Sequence, residues 1–391
     1  MAMKNLRRAA RVGLKVAETD WAKHMKRAAL IGAIGTAAAG IGVAAGVGAA
    51  GWALWKRFGM KASDVRGKVV VITGGSRGLG FALAQEFAEK GARVAICARD
   101  QRELELAAER LNAFGGEVMS IICDVADRDD VLKMVQEVRA RFGGIDILVN
   151  NAGVIQVGPL ESQTVVDFQE AMDVMFWGTV YTTLAVLPEM ILRRSGHIAN
   201  VTSIGGKIAV PHLLPYDSAK FAAVGFSEGL RAEVAKDGIR VTTVCPGLMR
   251  TGSHLNAYFK GDNRAEFTWF SMGATTPGVA MNAHRAARKI VNAVRRGRSE
   301  IILTPQAKLA AMFHGVFPGV TSDVLGLVNR VLPSVPMGVG QDRHTGKQSQ
   351  TAVTESPLTY FGKRAAQHLN QWAEESKRPT PLARPGLSET G

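Results

Sequence analysis

The sequence predicts an α/β fold: a mostly parallel, doubly wound sheet, with an apolar helix before it and apolar helices after it. Three observations carry this. Seven short apolar runs of strand length recur between Lys68 and Leu303. Helix-length amphipathic stretches separate them, and strand–helix alternation with continuously apolar strands implies a parallel sheet covered on both faces. The first run ends in a glycine-rich turn that opens onto a helical pattern. With 391 residues, 47% of them hydrophobic, the chain can bury a core of that kind.

The chain opens on a basic leader, residues 1–27, holding eight Lys or Arg and two acids, so +6 of the net +14 lies there. Such a surplus suits nucleic acid or anionic lipid. No aromatic–basic interleaving accompanies it, so no nucleic-acid partner is expected, and the next segment decides for lipid. Residues 28–55 carry no charge, and as a helix they would exceed the roughly 30 Å hydrocarbon core. Gly42 and Gly46 form a small-xxx-small pair, and Trp52, Trp55, Lys56 and Arg57 suit a membrane–water interface. Residues 28–57 are therefore read as a membrane anchor, with a buried Ala/Gly helix as the alternative. Basic residues balance on its two sides, so charge does not set its orientation.

The strand-like runs are KVVVIT (68–73), ARVAIC (92–97), EVMSII (117–122), IDILVN (145–150), HIANVT (197–202), IRVTTV (239–244) and EIIL (300–303). Cys97, Cys123 and Cys245 lie in or beside such runs, without pairing or metal spacing, and read as buried thiols. No metal is expected. The helix at 280–298 has an apolar stripe, Ala287, Ile290, Val291 and Val294, with Arg285, Arg288, Lys289, Arg295, Arg296 and Arg298 outside it. That basic side is a solvated face or a contact for anionic headgroups. Residues 304–333 hold two apolar stretches, each too short to span a bilayer, which suit a substrate lid, a membrane-surface pair, a contact between copies in a homo-oligomer, or core packing. From Ser334 to Gly391 the composition is polar and rich in Gly, Pro, Gln and Ser, and a loose tail is expected.

The chemistry starts at TGGSRGLG, Thr73–Gly80. Gly74, Gly78 and Gly80 let the backbone turn tightly and approach a pyrophosphate at the N-terminus of the next helix, as in a Rossmann-like fold. Tyr216 and Lys220, in LPYDSAK, are four apart and share one helix face. A nearby ammonium favours the phenolate, so Lys220 is expected to lower the Tyr216 pKa and fit it for acid–base work.

The T-G-x-x-x-G-x-G spacing, NNAG at Asn150–Gly153 and YDSAK together resemble the short-chain dehydrogenase/reductase family, over roughly residues 65–303. The resemblance implies an NAD(P)-binding domain and a catalytic set of Ser203, Tyr216 and Lys220. Tyr216 would exchange a proton with the substrate oxygen, Ser203 would hydrogen-bond that oxygen, and Lys220 would also bind the nicotinamide ribose. It places Thr73, Gly74, Ser76, Arg77, Gly78, Leu79, Gly80, Asn151, Ala152 and Gly153 about the cofactor. Asp124 and Val125 follow the third strand on the adenine side, and Pro246, Gly247 and Thr251 follow the sixth on the nicotinamide side.

One position departs from the family pattern. Where V-N-x-x-G is usual, this chain reads VMFWG, with Met175 in the asparagine's place. A thioether accepts hydrogen bonds only weakly and donates none, so the water relay to the lysine is in doubt. The alternative to an enzyme is therefore a binding or scaffold protein with weak or no turnover. For the cofactor, Ala98 stands where an NAD site usually places its ribose-binding acid, with Arg99 next and Arg77 in the glycine loop. Two guanidinium groups suit a 2′-phosphate, so NADP(H) is expected over NAD(H), although Asp100 lies just past the acid's place. Leu255, Tyr258, Phe259, Phe267, Trp269, Phe270 and Met272, in the loop that would cover the substrate, suggest a lipophilic carbonyl or alcohol. A dinucleotide site also implies a domain facing the cytosol.

Overall fold

The computed structural model describes residues 62–276, 279–335, 342–351, 354 and 360–371. The basic leader and the 28–57 anchor reading lie outside the described residues. Seven strands form one sheet: β1 (Val69–Thr73), β2 (Arg93–Ala98), β3 (Val118–Ile122), β4 (Ile147–Asn150), β5 (Gly196–Val201), β6 (Ile239–Cys245) and β7 (Glu300–Ile302). Their order is β7-β6-β5-β4-β1-β2-β3, and every neighbouring pair is parallel. The chain starts in the centre, winds out to β3, then returns to β4 on the other side of β1. The order of winding thus reverses between β1 and β4, beside the glycine-rich turn, where open sheets bind ligands.

The strands are connected by α1 (Gly78–Ala88), α2 (Gln101–Asn112), α3 (Arg128–Phe142), α4 (Val165–Met172), α5 (Gly178–Leu192) and α6 (Leu214–Val234). Later come α7 (Asn263–Thr275), α8 (Ala283–Arg295), α9 (Pro305–Val316), α10 (Pro318–Asn329) and α11 (Tyr360–His368). β1 shows why the sheet is two-faced. Its alternate residues Val70 and Ile72 join a core cluster with α1, α2 and α8, while Val69 and Val71 join another with α3, α5 and α6. All five β1 residues are buried, which is why the run is continuously apolar rather than alternating.

The stripe Ala287, Ile290, Val291 and Val294 on α8 is fully buried, the Ile and Val side chains each contributing roughly 1.5–3 kcal/mol by burial. Of the surrounding cations, Arg285, Arg288, Arg296 and Arg298 are exposed. Arg295 donates instead to the Ser63 carbonyl, and Lys289 to that of Leu303.

The stretch Val165–Leu192 is long and apolar enough by composition to cross a membrane. It is bent to another use: a π-helical turn, Asp173–Trp177, joins α4 to α5, and its inner side packs on the sheet. α9 and α10 form a pair bent by 120°, with Leu309, Met312, Phe313, Val316, Val320, Val324 and Leu327 exposed.

Two expectations are corrected here. The polar tail is not loose throughout. His344–Thr345 pairs antiparallel with Tyr258–Phe259, and α11 packs against α7, with Leu369 at 1% exposure in the core. A few well-placed apolar side chains outweigh the segment's average polarity. The apolar and aromatic residues of 255–272, expected to cover the substrate, are mostly turned inward instead. Leu255, Phe259, Phe267 and Phe270 are buried in a small core of their own with Val157 and Ala366, and Trp269 packs on it. Arg343 stacks on Tyr258, 3.9 Å from the ring centroid, which leaves Met272 as the exposed member of the set.

Candidate active site

Ser203 leaves β5 in extended conformation and starts a 3₁₀ turn, Ile204–Gly206, its Oγ accepting from the Gly205 N–H at 3.0 Å. The Ile204 N–H donates to the Pro246 carbonyl at 2.7 Å, tying this turn to the loop after β6. α6 then brings Tyr216 over the turn. The approach is so close that a Cβ on Gly205 would lie 2.2 Å from Asp217 Oδ1 and 3.2 Å from a Tyr216 ring carbon. Only glycine fits there. One helical turn on, the Lys220 Nζ donates to the Val201 carbonyl at 3.0 Å and stands 5.7 Å from the centroid of the Tyr216 ring.

The structure brings Ser203, Tyr216 and Lys220 together at the carboxyl ends of β5 and β6. Burial pushes the Tyr216 phenol up to about 12, while a hydrogen bond with Ser203 pulls the other way. Burial also draws Lys220 down to about 8. The phenol is thus raised rather than lowered as expected: desolvation acts against both charged forms, the Asp217 carboxylate adds to the rise, and the opposing influence is Ser203 rather than Lys220.

The glycine-rich loop lies across the ends of β1 and β4. Gly74 and Gly78 have positive φ, 63° and 61°. A Cβ on Gly80 would meet the Gly74 carbonyl at 2.1 Å. Thr73 and Asn151 hold the loop in shape. The Thr73 Oγ1 accepts from the N–H groups of Asn151 and Ala152, and the Asn151 amide donates to the carbonyls of Thr73 and Gly74. α1 begins at Gly78 with no side-chain cap and no acid in its first turn. A helix N-terminus of this kind favours an anion, so the loop fits a dinucleotide pyrophosphate. Among the described residues, no group of three or more His, Cys, Asp or Glu could hold a metal ion.

On the adenosine side each arginine has an acidic neighbour. Arg77 Nη1 pairs with Glu103 Oε1 at 2.5 Å, and the Ser76 hydroxyl donates to the other Glu103 oxygen. Arg99 lies 3.8 Å from Asp124, with both side chains well exposed. Asp100 is not free to serve as a displaced ribose acid, because it caps α2 by accepting from the Glu103 N–H at 2.9 Å. Glu103 escaped the sequence reading because it reaches the loop from the first turn of a helix 26 residues on. Val125 is buried, and Thr251, also buried, bonds Ser253.

Met175 occupies the π-helical turn and is 1% exposed. A Cβ on Gly153 would lie 3.5 Å from its sulfur and 3.8 Å from Lys220 Nζ, so the thioether and the ammonium flank the same glycine. Behind them runs a buried polar network that the sequence did not reveal. Thr182 and Asn200 bond the Asn150 amide at 2.6 and 2.9 Å, Asn200 reaches Ser227, and Ser227 reaches Thr243. The first asparagine of NNAG thus turns inward and fixes β4, β5, β6, α5 and α6 to one another. His212 and Glu266, 2.7 Å apart and buried, join the turn before α6 to α7.

Comparison with known proteins agrees with this geometry. The short chain dehydrogenase family profile matches residues 68–258. SadH of Mycobacterium tuberculosis is 37% identical over 252 residues, 63% of this chain and 89% of that protein. A Dehydrogenase/reductase SDR family protein 7-like from Anopheles gambiae is 37% identical over 255 residues, 64% of this chain and 79% of that one. L-sorbose reductase from Gluconobacter frateurii, solved with NADPH and L-sorbose, superposes with TM-score 0.56 at 29% identity, covering 62% of this chain and 97% of that one. With the Ser203, Tyr216 and Lys220 cluster seated beside the glycine-rich loop, this likeness makes the chain a member of the short-chain dehydrogenase/reductase family and an oxidoreductase of that type.

Proposed function

We propose that this chain is a membrane-associated oxidoreductase that interconverts a carbonyl and an alcohol with NADP(H), on a lipophilic substrate. The observation that carries the catalytic part is the convergence of Ser203 and Tyr216 on one another, with Lys220 one turn behind. NADP(H), when bound, would supply or accept the hydride. Tyr216, held neutral by burial, would donate its proton to the substrate oxygen, and Ser203 would hold that oxygen and offset its developing charge. Lys220 would bind the nicotinamide ribose. Arg77 and Arg99 support the 2′-phosphate reading, tempered by Glu103 and Asp124 beside them. Tyr216→Phe should abolish turnover of a ketone panel and leave NADPH binding, read by fluorescence, nearly unchanged. More than a few per cent of residual rate would remove Tyr216 from the acid role.

Met175 favours a second reading, a family member that binds cofactor with weak or no turnover, because a buried thioether cannot carry the usual relay. NADPH binding with no turnover of any ketone would select it.

Membrane association is supported by the uncharged run 28–55 and by the exposed apolar side chains of α9 and α10. With the domain facing the cytosol, the site would meet the soluble cofactor pool. Deleting residues 1–57 should move most of the protein out of the membrane fraction, with any remainder released by salt. A full-length protein soluble without detergent would refute the anchor.

A further inference from the structure

Gln371 stands at the mouth of the glycine-rich loop, brought there by the chain's return after α11. Gly78 donates its N–H to the Leu369 carbonyl at 2.9 Å. Asn370 donates its side-chain amide to the carbonyls of Ser76 and Glu103, at 2.9 and 3.1 Å. Its own φ is 58°, a left-handed turn that asparagine tolerates better than most residues, and this turn directs Gln371 inward. Arg110 fixes the same segment to α2 through the His368 carbonyl at 2.7 Å. These contacts and the buried Leu369 build residues 360–371 into the fold as a strap.

Gln371 is 3% exposed. Asn256 donates to its Oε1 at 2.5 Å, which fixes the orientation of the amide. The amide nitrogen is then directed at the loop: a Cβ on Gly78 would lie 2.8 Å from Nε2 and 4.0 Å from the Cβ of Thr251. Nε2 thus lies beside the first residue of α1 and close to Thr251, and it donates to no described residue. Nε2 is not one of the fully enclosed unpartnered atoms, so it keeps an open side, and it stands at the start of a helix that has no side-chain cap and favours negative charge there.

We propose that Gln371 is a ligand for the pyrophosphate of the dinucleotide, and that the strap 360–371 closes the phosphate side of the site. This rests on the NAD(P)(H) reading above. The pyrophosphate oxygens are the acceptors that the fixed amide lacks. A polar contact from so late in the chain would add to the backbone N–H groups of the loop.

The test uses the full-length protein and Gln371→Glu, which keeps the shape and the acceptor for Asn256 but replaces the donor by a carboxylate oxygen. Dissociation constants are measured for NADPH, ADP-ribose and adenosine 2′-phosphate, the last of which lacks the pyrophosphate. The two pyrophosphate ligands should weaken roughly tenfold or more. Adenosine 2′-phosphate should change less than about threefold, and the melting temperature without ligand should hold. Gln371→Leu, which removes the donor without adding charge, should give a loss of the same pattern and is decisive if Gln371→Glu does not fold. Retention of NADPH and ADP-ribose within about twofold in a folded variant overturns the proposal, as does an equal loss for all three ligands. A wild-type protein that binds none of the three refutes the dinucleotide reading itself, and this proposal with it.

Discussion

Replacing Met175 by asparagine restores the residue usual in the family and asks whether the site has been rebuilt around the thioether. Met175 is 1% exposed and belongs to the cluster between the sheet and helices α3, α5 and α6. Removing its buried apolar surface costs roughly 1.5–3 kcal/mol. Leaving part of the new amide unpaired costs about 1–3 kcal/mol more. Lys220 flanks the same glycine and could satisfy the amide oxygen, although its Nζ already donates to Val201. The net loss is therefore taken near the lower end, about 3 kcal/mol. At about 2–4 °C per kcal/mol for a large domain, the melting temperature should fall by roughly 6–12 °C. Thermal melts with and without NADPH, beside steady-state rates on a ketone the wild type reduces, read both effects. Lower stability and no gain in rate are expected. Met175→Leu, which keeps the volume, should cost less than about 1.5 kcal/mol and serves as the control. A faster Met175→Asn enzyme at unchanged melting temperature would refute the reasoning, since the pocket would then accept the amide and use it.

Replacing Arg77 and Arg99 together by alanine should weaken NADPH at least about tenfold more than NADH, each charge-assisted contact contributing about 1.5–3 kcal/mol at most; equal losses would contradict the 2′-phosphate assignment. Glu103→Gln removes the carboxylate that Arg77 now pairs with and should tighten NADPH; a selective loss of NADH would instead make Glu103 the ribose acid. Asp217 has no partner for Oδ1, and burial raises its carboxyl to about 8, above the ordinary 3.8, against the lowering by the Val210 N–H. Its folded pKa exceeds the unfolded one, so the stability it contributes is full below about pH 4 and is lost as pH rises through 8, by at most about 1.4 kcal/mol per pH unit. Denaturant titrations should show the wild type losing stability relative to Asp217→Asn across that window, and parallel profiles would refute the buried acid.

The legible part of this protein was its repeating part. Each apolar run became a strand within a residue or two; in the sheet centre this is because buried parallel strands must be apolar throughout, while the edge strands β3 and β7 are largely half-buried or exposed. The motif residues were found because backbone geometry demands glycine at Gly74, Gly78 and Gly80, and because a helix aligns Tyr216 with Lys220. Contacts between distant parts of the chain were not legible. Asn370 reaches Ser76 across 294 positions, from a segment whose composition looks disordered. Glu103 neutralises an arginine that the sequence offered to a phosphate. The aromatic side chains of 255–270 looked like a lipophilic wall, yet most of them satisfy one another. Hydrophobicity along a chain says that a residue seeks burial, not what will bury it.

The perturbed pair at the centre bears on direction. Burial penalises the charged form of either group, so it moves the Tyr216 and Lys220 pKa values in opposite directions and apart, from 10.0 to about 12 and from 10.5 to about 8. A phenol held neutral is ready to give a proton, which reduction of a carbonyl requires. Oxidation of an alcohol requires the phenolate, and the same burial opposes it. Ser203, bonded to the phenol, lowers its pKa and so works against burial in part. Near neutral pH the phenol therefore holds its proton, while Lys220, at about 8, keeps most of its positive charge 5.7 Å from the ring centroid. Oxidation of an alcohol would call on that ammonium, and on the charge of an oxidised nicotinamide ring when bound, to favour the phenolate against burial.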